Sequence, residues 1–368
     1  MKILIINSHP SDALGGSEMQ CDLIARGLTE RGNEVIYGAV GRKRKESYTG
    51  LPYRVVSLAI ERRGALTKVL QEENPDVIYW RFNKHYLLQA VKESKRAGVS
   101  FVFAVSHVND VTKYAYKPIM VRSRMDKALS YFLILVQMIH SGWNYRAFQY
   151  VTAVTTLNSQ YLGRLPVKKQ RVVWNSVPLS EDPFNWEKKY CVWIANIKPS
   201  KRPEAYIKLA SILKERCPEL DFLMIGAIQN KFYNSIIQEA EEHNNFYYLG
   251  FQSPEFVNGV LAKAECMLHT CEPEGFGNNF IQAWIQGCPT ITLEFDPDGL
   301  IQTEHLGFVS GTIEQMANDV ETLLKDEKLG DEIGNRAQAF AHANFTPDRM
   351  VDEIEAFLEE VVHEYRRS

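Results

Sequence analysis

Short, continuous apolar runs alternate along this chain with longer stretches whose apolar residues recur every three or four positions. Residues 2–7 read as a buried strand. A loop follows from His9 to Gly16, then a helix from about Ser17 with Leu23, Ile24 and Leu28 on its inner face and Gly32 ending it. Strands are predicted at 34–37, 76–80, 100–105, 151–155 and 171–174, with a short helix near 158–163. After a linker around 175–185 the rhythm repeats. Strands at 190–195, 221–225, 246–249, 266–269 and 290–295 alternate with helices starting near Pro203, Asn230, Pro254 and Asn279. Three helical segments, 313–324, 329–343 and 347–365, close the chain. Strand runs apolar throughout and separated by helices predict parallel sheets covered on both faces, in two doubly wound halves.

One segment breaks the rhythm. Residues 111–150 are rich in Tyr, Met and Lys/Arg around an apolar centre, ALSYFLILVQMI at 128–139. Twelve residues cannot span a bilayer, which needs about 20. Two readings compete: a buried helix of the first half, or an interfacial segment flanked by Lys113, Lys117, Arg122, Arg124 and Lys127 that touches a membrane or a lipid acceptor.

Charge sharpens the division into halves. The net charge of −3 conceals a basic first half. Residues 1–171 hold 26 Lys and Arg against 13 Asp and Glu; the remainder holds 16 against 32. A field of +13 suits an anionic membrane, a lipid diphosphate or an acidic glycan; two domains of opposite charge docking on each other would also produce it. No nucleic-acid-binding module accompanies it. Six scattered cysteines, with no Cys-x-x-Cys, read as reduced thiols. The opening MKILIINSHP lacks the length and cleavage pattern of a signal peptide, so the expected location is cytoplasmic, peripheral at the inner face of the membrane.

The richest chemistry lies in AECMLHTCEPEGFGNNFIQAWIQGCPTITLEFDPDGL, residues 264–300. A glycine-flanked loop running into a helix presents free backbone N–H groups and the positive end of the helix dipole to an anion. Glu274 in the same loop would repel that anion but accept hydrogen bonds from hydroxyls beside it. Anion and hydroxyls side by side describe a phosphorylated sugar. Asp296-Pro-Asp298 has the spacing of a metal-binding Asp-x-Asp but reads better as a turn.

The run Glu274-Gly275-Phe276-Gly277-Asn278-Asn279-Phe280-Ile281-Gln282-Ala283-Trp284, followed by Gly287-Cys288-Pro289-Thr290, resembles the donor-sugar loop of family-4 glycosyltransferases. These are retaining, nucleotide-sugar-dependent enzymes of the GT-B fold, two Rossmann-like domains facing a central cleft. The resemblance spans nearly the whole chain, strongest over 190–311 and weakest over 111–150. It implies an acceptor-side domain at 1–178, a donor domain at 179–346, and a last helix, 347–368, crossing back to the first.

It also assigns roles. Glu274, Lys201 and His107 would be catalytic. Gly16, Asn196, Arg202, Gly275, Phe276, Gly277, Asn278 and Gln282 would bind the donor, with Gly15-Gly16 letting backbone approach the diphosphate. Two positions depart from the family pattern. An arginine is usual five residues before Lys201, where this chain has Asn196; a second glutamate is usual eight residues after Glu274, where it has Gln282. Both departures remove charge, and Lys198 and Arg202 are the neighbours that could replace it. The implied partners are a nucleotide-sugar donor and a glycan or lipid-linked acceptor, in cell-surface polysaccharide or glycolipid assembly, with no cofactor and no metal. The alternative is a catalytically silent glycosyltransferase-like partner protein.

Overall fold

The computed structural model describes residues 1–12, 15–41, 48–116, 124–272 and 275–367, and of 124–127 only the backbone. Glu274, Lys117, Arg122 and the basic run at 42–45 lie outside the described residues. The chain divides into two compact units, residues 1–175 with 347–368, and residues 176–346.

The first unit runs β1 (Lys2–Asn7), α1 (Gly16–Glu30), β2 (Glu34–Val40), β3 (Arg54–Leu58), α2 (Ala65–Glu73), β4 (Val77–Trp80), α3 (Leu87–Ala97), β5 (Ser100–Val105), α4 (Val108–Val111), α5 (Arg124–Tyr145), β6 (Ala153–Thr156) and β7 (Lys169–Val172). Its seven strands are parallel, in the order β3-β2-β1-β4-β5-β6-β7. Alternate residues serve opposite faces. Leu4, Ile6, Ile78, Trp80, Phe101 and Phe103 join one apolar cluster with α2 and α3. Ile3, Ile5, Val77, Tyr79 and Val102 join another with α1. This period of two, buried on both sides, is why the strands read as continuous apolar runs.

The second unit runs β8 (Tyr190–Ile194), α6 (Pro203–Arg216), β9 (Asp221–Ile225), α7 (Phe232–Glu241), β10 (Phe246–Tyr248), α8 (Pro254–Leu261), β11 (Cys266–His269), α9 (Asn278–Ile285), β12 (Thr290–Thr292), α10 (Leu300–Thr303), β13 (Gly307–Val309), α11 (Ile313–Lys325) and α12 (Glu327–Asn344). Its six strands are also parallel, in the order β10-β9-β8-β11-β12-β13. The last helix, α13 (Pro347–Arg367), packs on α1 in the first unit. Val351, Ile354, Phe357, Leu358 and Val361 enter the cluster that holds Ile24 and Leu28. Gly27 lets the two helices approach, since a Cβ there would overlap the Val351 side chain.

Strand order reverses between β1 and β4 in one sheet and between β8 and β11 in the other. In open parallel sheets such switch points, at the carboxyl ends of the strands, are where ligands bind.

The competition over 111–150 is decided against a buried helix, because α5 packs inside out. Polar and small residues face inward: Asn144 is only 4% exposed and Ser130 5%. Asn144 Oδ1 accepts from the Leu88 backbone N–H at 3.3 Å. Ser141 Oγ accepts from Lys84 Nζ at 3.2 Å and from the Ala115 N–H at 3.1 Å, and donates to the Lys113 carbonyl at 3.1 Å. The Tyr114 ring lies where a Cβ on Gly142 would stand. The apolar residues that suggested burial point outward. Phe132 is 61% exposed, Ile139 62% and Trp143 59%. Among the described residues no helix is long and apolar enough to cross a membrane. All six cysteines are free and buried; Cys191 and Cys266 pair across β8 and β11 with sulfurs 3.4 Å apart.

Candidate active site

In the second unit β8 and β11 end side by side. Past β8 the chain continues through exposed Asn196 to a turn of 3₁₀ helix at Pro199–Lys201, then into α6 through Arg202, which adopts the left-handed conformation with φ 50°. Past β11, Thr270 is fully buried. Its Oγ1 lies 3.0 Å from the carbonyl oxygens of both Lys201 and Arg202 and accepts from Trp193 Nε1 at 2.9 Å. The Glu272 N–H donates to the Ser200 carbonyl at 3.0 Å. These bonds join the Lys201 turn to the loop leading toward Glu274. Two stretches some 70 residues apart in sequence thus share the switch point.

The helix after the loop is set with equal firmness. Gly277, with φ 89°, is the N-cap of α9 and has no side chain of its own to cap the helix. Asn279 Nδ2 donates to the Ile194 carbonyl at 3.1 Å, tying the first turn of α9 to the end of β8. Gly275 and Phe276 are buried. The Phe276 ring packs on Phe345, 5.6 Å between centroids, and on Trp284 at 6.2 Å. Its side chain therefore anchors the loop while its backbone remains part of the approach to α9. A glycine-led helix start beside a lysine-bearing turn is an arrangement that holds phosphate.

The two departures occupy distinct positions. Asn196 stands at the end of β8, where it can offer a neutral hydrogen bond. Gln282 Nε2 donates to Asn258 Oδ1 at 2.9 Å, and Asn258 Nδ2 bonds to the carbonyls of Pro178 and Ser180. Gln282 thus braces the entry of the chain into this unit. Arg202 Nη1 is 3.2 Å from Glu294 Oε2, so its charge is already answered by a carboxylate. Asp296 Oδ1 and Oδ2 accept from the N–H groups of Ile301 and Gln302 at 2.9 and 3.2 Å. That carboxylate belongs to a turn, as its sequence suggested; its burial pushes its pKa up against these two bonds.

In the first unit Gly16 opens α1 after β1, and His107 follows β5. His107 is the exposed N-cap of α4. Its Nδ1 accepts from the Asn109 N–H at 3.1 Å, which places the ring proton on Nε2, free to donate outward. Asp110 Oδ2 accepts from the N–H groups of Ser106 and His107, both at 3.0 Å, and fixes the turn.

Two buried side chains stand at the switch point of this sheet, His9 after β1 and Arg81 after β4. His9 is buried; its Nδ1 accepts from Ser11 N–H at 3.2 Å and its Nε2 lies 3.1 Å from the Tyr53 hydroxyl. Tyr53 donates in turn to Asp22 Oδ1, and Asp22 Oδ2 accepts from Arg26 Nε at 3.0 Å. Burial holds the His9 pKa below its ordinary value, against the pull of Asp22, so the ring is neutral at pH 7. The chain of bonds ties the loop after β1 to α1. Arg81 is also buried, donating from Nη2 to Asn175 Oδ1 at 2.6 Å. Its Nε has no partner, and among the described residues no carboxylate pairs with it. The His9–Tyr53, Tyr53–Asp22 and Arg81–Asn175 bonds join residues 31 to 94 positions apart, which only the fold brings together.

A pocket of about 450 Å³ opens at the ends of β4 and β5, lined by Lys84, His85, Asp110, His140, Ser141 and Asn144. The His85 and His140 rings lie 4.2 Å apart. Lys84 is 7% exposed, and burial pulls its pKa down to about 8 from 10.5 despite nearby Asp110. The folded protein therefore gives up that proton more easily than the unfolded chain. The penalty is complete below pH 8 and is relieved as pH rises toward 10.5, by about 3 kcal/mol at most. Denaturant titrations of the wild type and Lys84→Met across this range should show the wild type gaining stability relative to the variant. The difference isolates Lys84 from the buried tyrosines and cysteines, whose raised pKa values act in the opposite direction.

With the geometry in hand, comparison shows what the chain resembles. Residues 180–340 match the family model described as glycosyl transferases, group 1. That match covers most of the second unit, and the two parallel sheets have the fold of solved GT-B glycosyltransferase structures. The chain is 23% identical to the N-acetyl-alpha-D-glucosaminyl L-malate synthase of Bacillus anthracis, over 99% of this chain and 98% of that protein. It is 29% identical to the 2-deoxystreptamine N-acetyl-D-glucosaminyltransferase of Niallia circulans, over 28% of this chain and 27% of that protein. The crystal structure of Anabaena HepE in complex with UDP superposes with a TM-score of 0.77 at 16% identity, covering 98% of this chain and all of that one.

Proposed function

We propose that the protein is a retaining glycosyltransferase. It moves a sugar from a nucleotide-sugar donor held by the second unit to a glycan or lipid-linked acceptor held by the first, in cell-surface polysaccharide or glycolipid assembly at an anionic membrane. The observation that carries this reading is the junction at the β8–β11 switch point, where the Lys201 turn is bonded to the loop that leads to Glu274 and the glycine-led start of α9. Lys201 and the α9 amides stabilise the charge on the departing nucleoside diphosphate, and the reading calls for no metal. Glu274 accepts from sugar hydroxyls. The acceptor oxygen bonds to the anomeric carbon on the face from which the diphosphate leaves. The acceptor proton passes to the leaving phosphate oxygen, and His107 Nε2 donates to the reacting sugar.

A second reading, a silent donor-binding partner protein, is favoured by three observations: Asn196 in place of a cation, Arg202 already paired with Glu294, and Gln282 already bonded to Asn258. Melting-temperature shifts against a panel of nucleotide sugars separate the two from a protein with no donor site. UDP-sugars head the panel, because HepE is known with UDP and with UDP-glucose. At a hundredfold excess over Kd a ligand stabilises by about 2.7 kcal/mol. A hit accompanied by turnover that Glu274→Ala abolishes, with the anomeric configuration kept in the product, establishes the enzyme. A hit without transfer or slow donor hydrolysis establishes the partner protein. No hit across the panel overturns both.

A further inference from the structure

We propose that α5 is a membrane-docking helix, whose outward face settles at the headgroup–acyl boundary of an anionic bilayer. The inference makes specific the membrane contact in the proposed function, but it stands on a different observation: the inverted packing of α5. A helix whose polar side is satisfied inside the unit has no intramolecular use for an apolar outer face. Leu129, Tyr131, Phe132, Leu135, Ile139 and Trp143 are all more than half exposed. They extend over most of a helix of 22 residues, about 33 Å long. Contiguous apolar surface of this extent marks a binding face.

Two observations select a lipid surface over a second copy of the chain. The first is charge. Residues 111–150 carry Lys113, Lys117, Arg122, Arg124, Lys127 and Arg146 against a single acidic residue, Asp126. A symmetric dimer through this face would set one basic segment against another, whereas an anionic leaflet attracts such a segment. The second is the placing of aromatics beside cations. Lys113 Nζ lies 5.1 Å from the Tyr114 ring and Arg146 lies 5.2 Å from the Trp143 ring. Tyr and Trp rings next to Lys and Arg suit the interface, where one end of the group is wet and the other apolar. The helix lies in the surface and does not cross it. Its inner side contributes His140, Ser141 and Asn144 to the pocket at the ends of β4 and β5, so docking brings that pocket to the lipid surface.

The test is co-sedimentation of the full chain with vesicles of phosphatidylcholine alone and of phosphatidylcholine mixed with phosphatidylglycerol. The wild type should sediment with the mixed vesicles and lose them at high salt. Phe132→Ser/Ile139→Ser, both exposed positions, should weaken this partition at least about tenfold, since two apolar side chains that bury in the acyl region are replaced by polar ones. The nucleotide-sugar melting shift of that variant should match the wild type, which separates loss of docking from loss of the donor site or the fold. As an independent readout, mixed vesicles should blue-shift wild-type tryptophan emission, and Trp143→Phe should remove most of the shift. Failure of the wild type to bind mixed vesicles overturns the proposal, as does a double variant that binds them equally well. A wild-type dimer that the double variant dissolves, with no vesicle binding, assigns the face to a second copy instead.

Discussion

Lys201→Ala is expected to lower kcat by a factor of about 10² to 10³ while leaving the melting temperature nearly unchanged. The expectation follows from how the turn is held. The junction with Thr270 and Glu272 is made by backbone groups: the carbonyls of Lys201, Arg202 and Ser200 accept, and the Glu272 N–H donates. Removing the side chain leaves this frame in place and, on the proposed function, takes away the ammonium group that answers the diphosphate charge. With Asn196 neutral and Arg202 paired to Glu294 at 3.2 Å, Lys201 carries a larger share of that task than it would beside an unpaired arginine. Arg202→Ala should therefore cost much less, about tenfold or under. Steady-state kcat and thermal melts of the two variants check this together. Turnover of Lys201→Ala within threefold of wild type, or a larger loss in Arg202→Ala, would move the leaving-group role to another cation.

How far the sequence carried the argument depended on the kind of bond involved. The continuous apolar runs of β1, β4, β5, β8, β9 and β11 were legible because burial on both faces leaves no polar position within a central parallel strand. β3 lies at the edge of its sheet and is partly exposed, so RVVSL gave a weak pattern and went unread, along with α2 and α3 after it. α5 misled for the opposite reason. Apolar composition measures the wish of a segment for a non-aqueous neighbour, and says nothing of whether that neighbour is the protein's own core. Within the site, the glycine-flanked loop was legible from its residues, since a backbone anion site needs small residues before a helix, whereas Lys201 stood out only through the family resemblance. The bonds of Thr270, Asn258 and Gln282 were not. They join side chains to groups 24 to 80 residues away, and only the topology brings those together.

Gly226→Ala is expected to destabilise the protein by about 4 kcal/mol or more, an exceptional effect for the addition of one methyl group. Gly226 ends β9 with φ 149°, where an L side chain is strained. Strain is the smaller part. β8 and β9 remain paired beyond their regular ends, with the Ala195 N–H on the Ile225 carbonyl at 3.0 Å and the Ile197 N–H on the Ala227 carbonyl at 2.8 Å. A Cβ on Gly226 would overlap the Ala195 carbonyl oxygen and stand 2.6 Å from its carbon. That neighbour is backbone, unable to rotate aside, and Gly226 is itself held by Gly250 and Tyr248 at 2.8 Å each. Relief requires parting the two strands at the residues that lead into Asn196 and the Lys201 turn. Donor binding should therefore fall along with stability. Gly299→Ala is the control: its φ is 77°, also unfavourable to a side chain, but nothing lies within 4 Å of the added methyl. It should cost only about 1 kcal/mol, the conformational share alone. Denaturant melts of both variants, with nucleotide-sugar binding measured alongside, separate close approach from backbone strain. Equal losses in the two would show that the contact with Ala195 relaxes freely and that the donor loop does not depend on it.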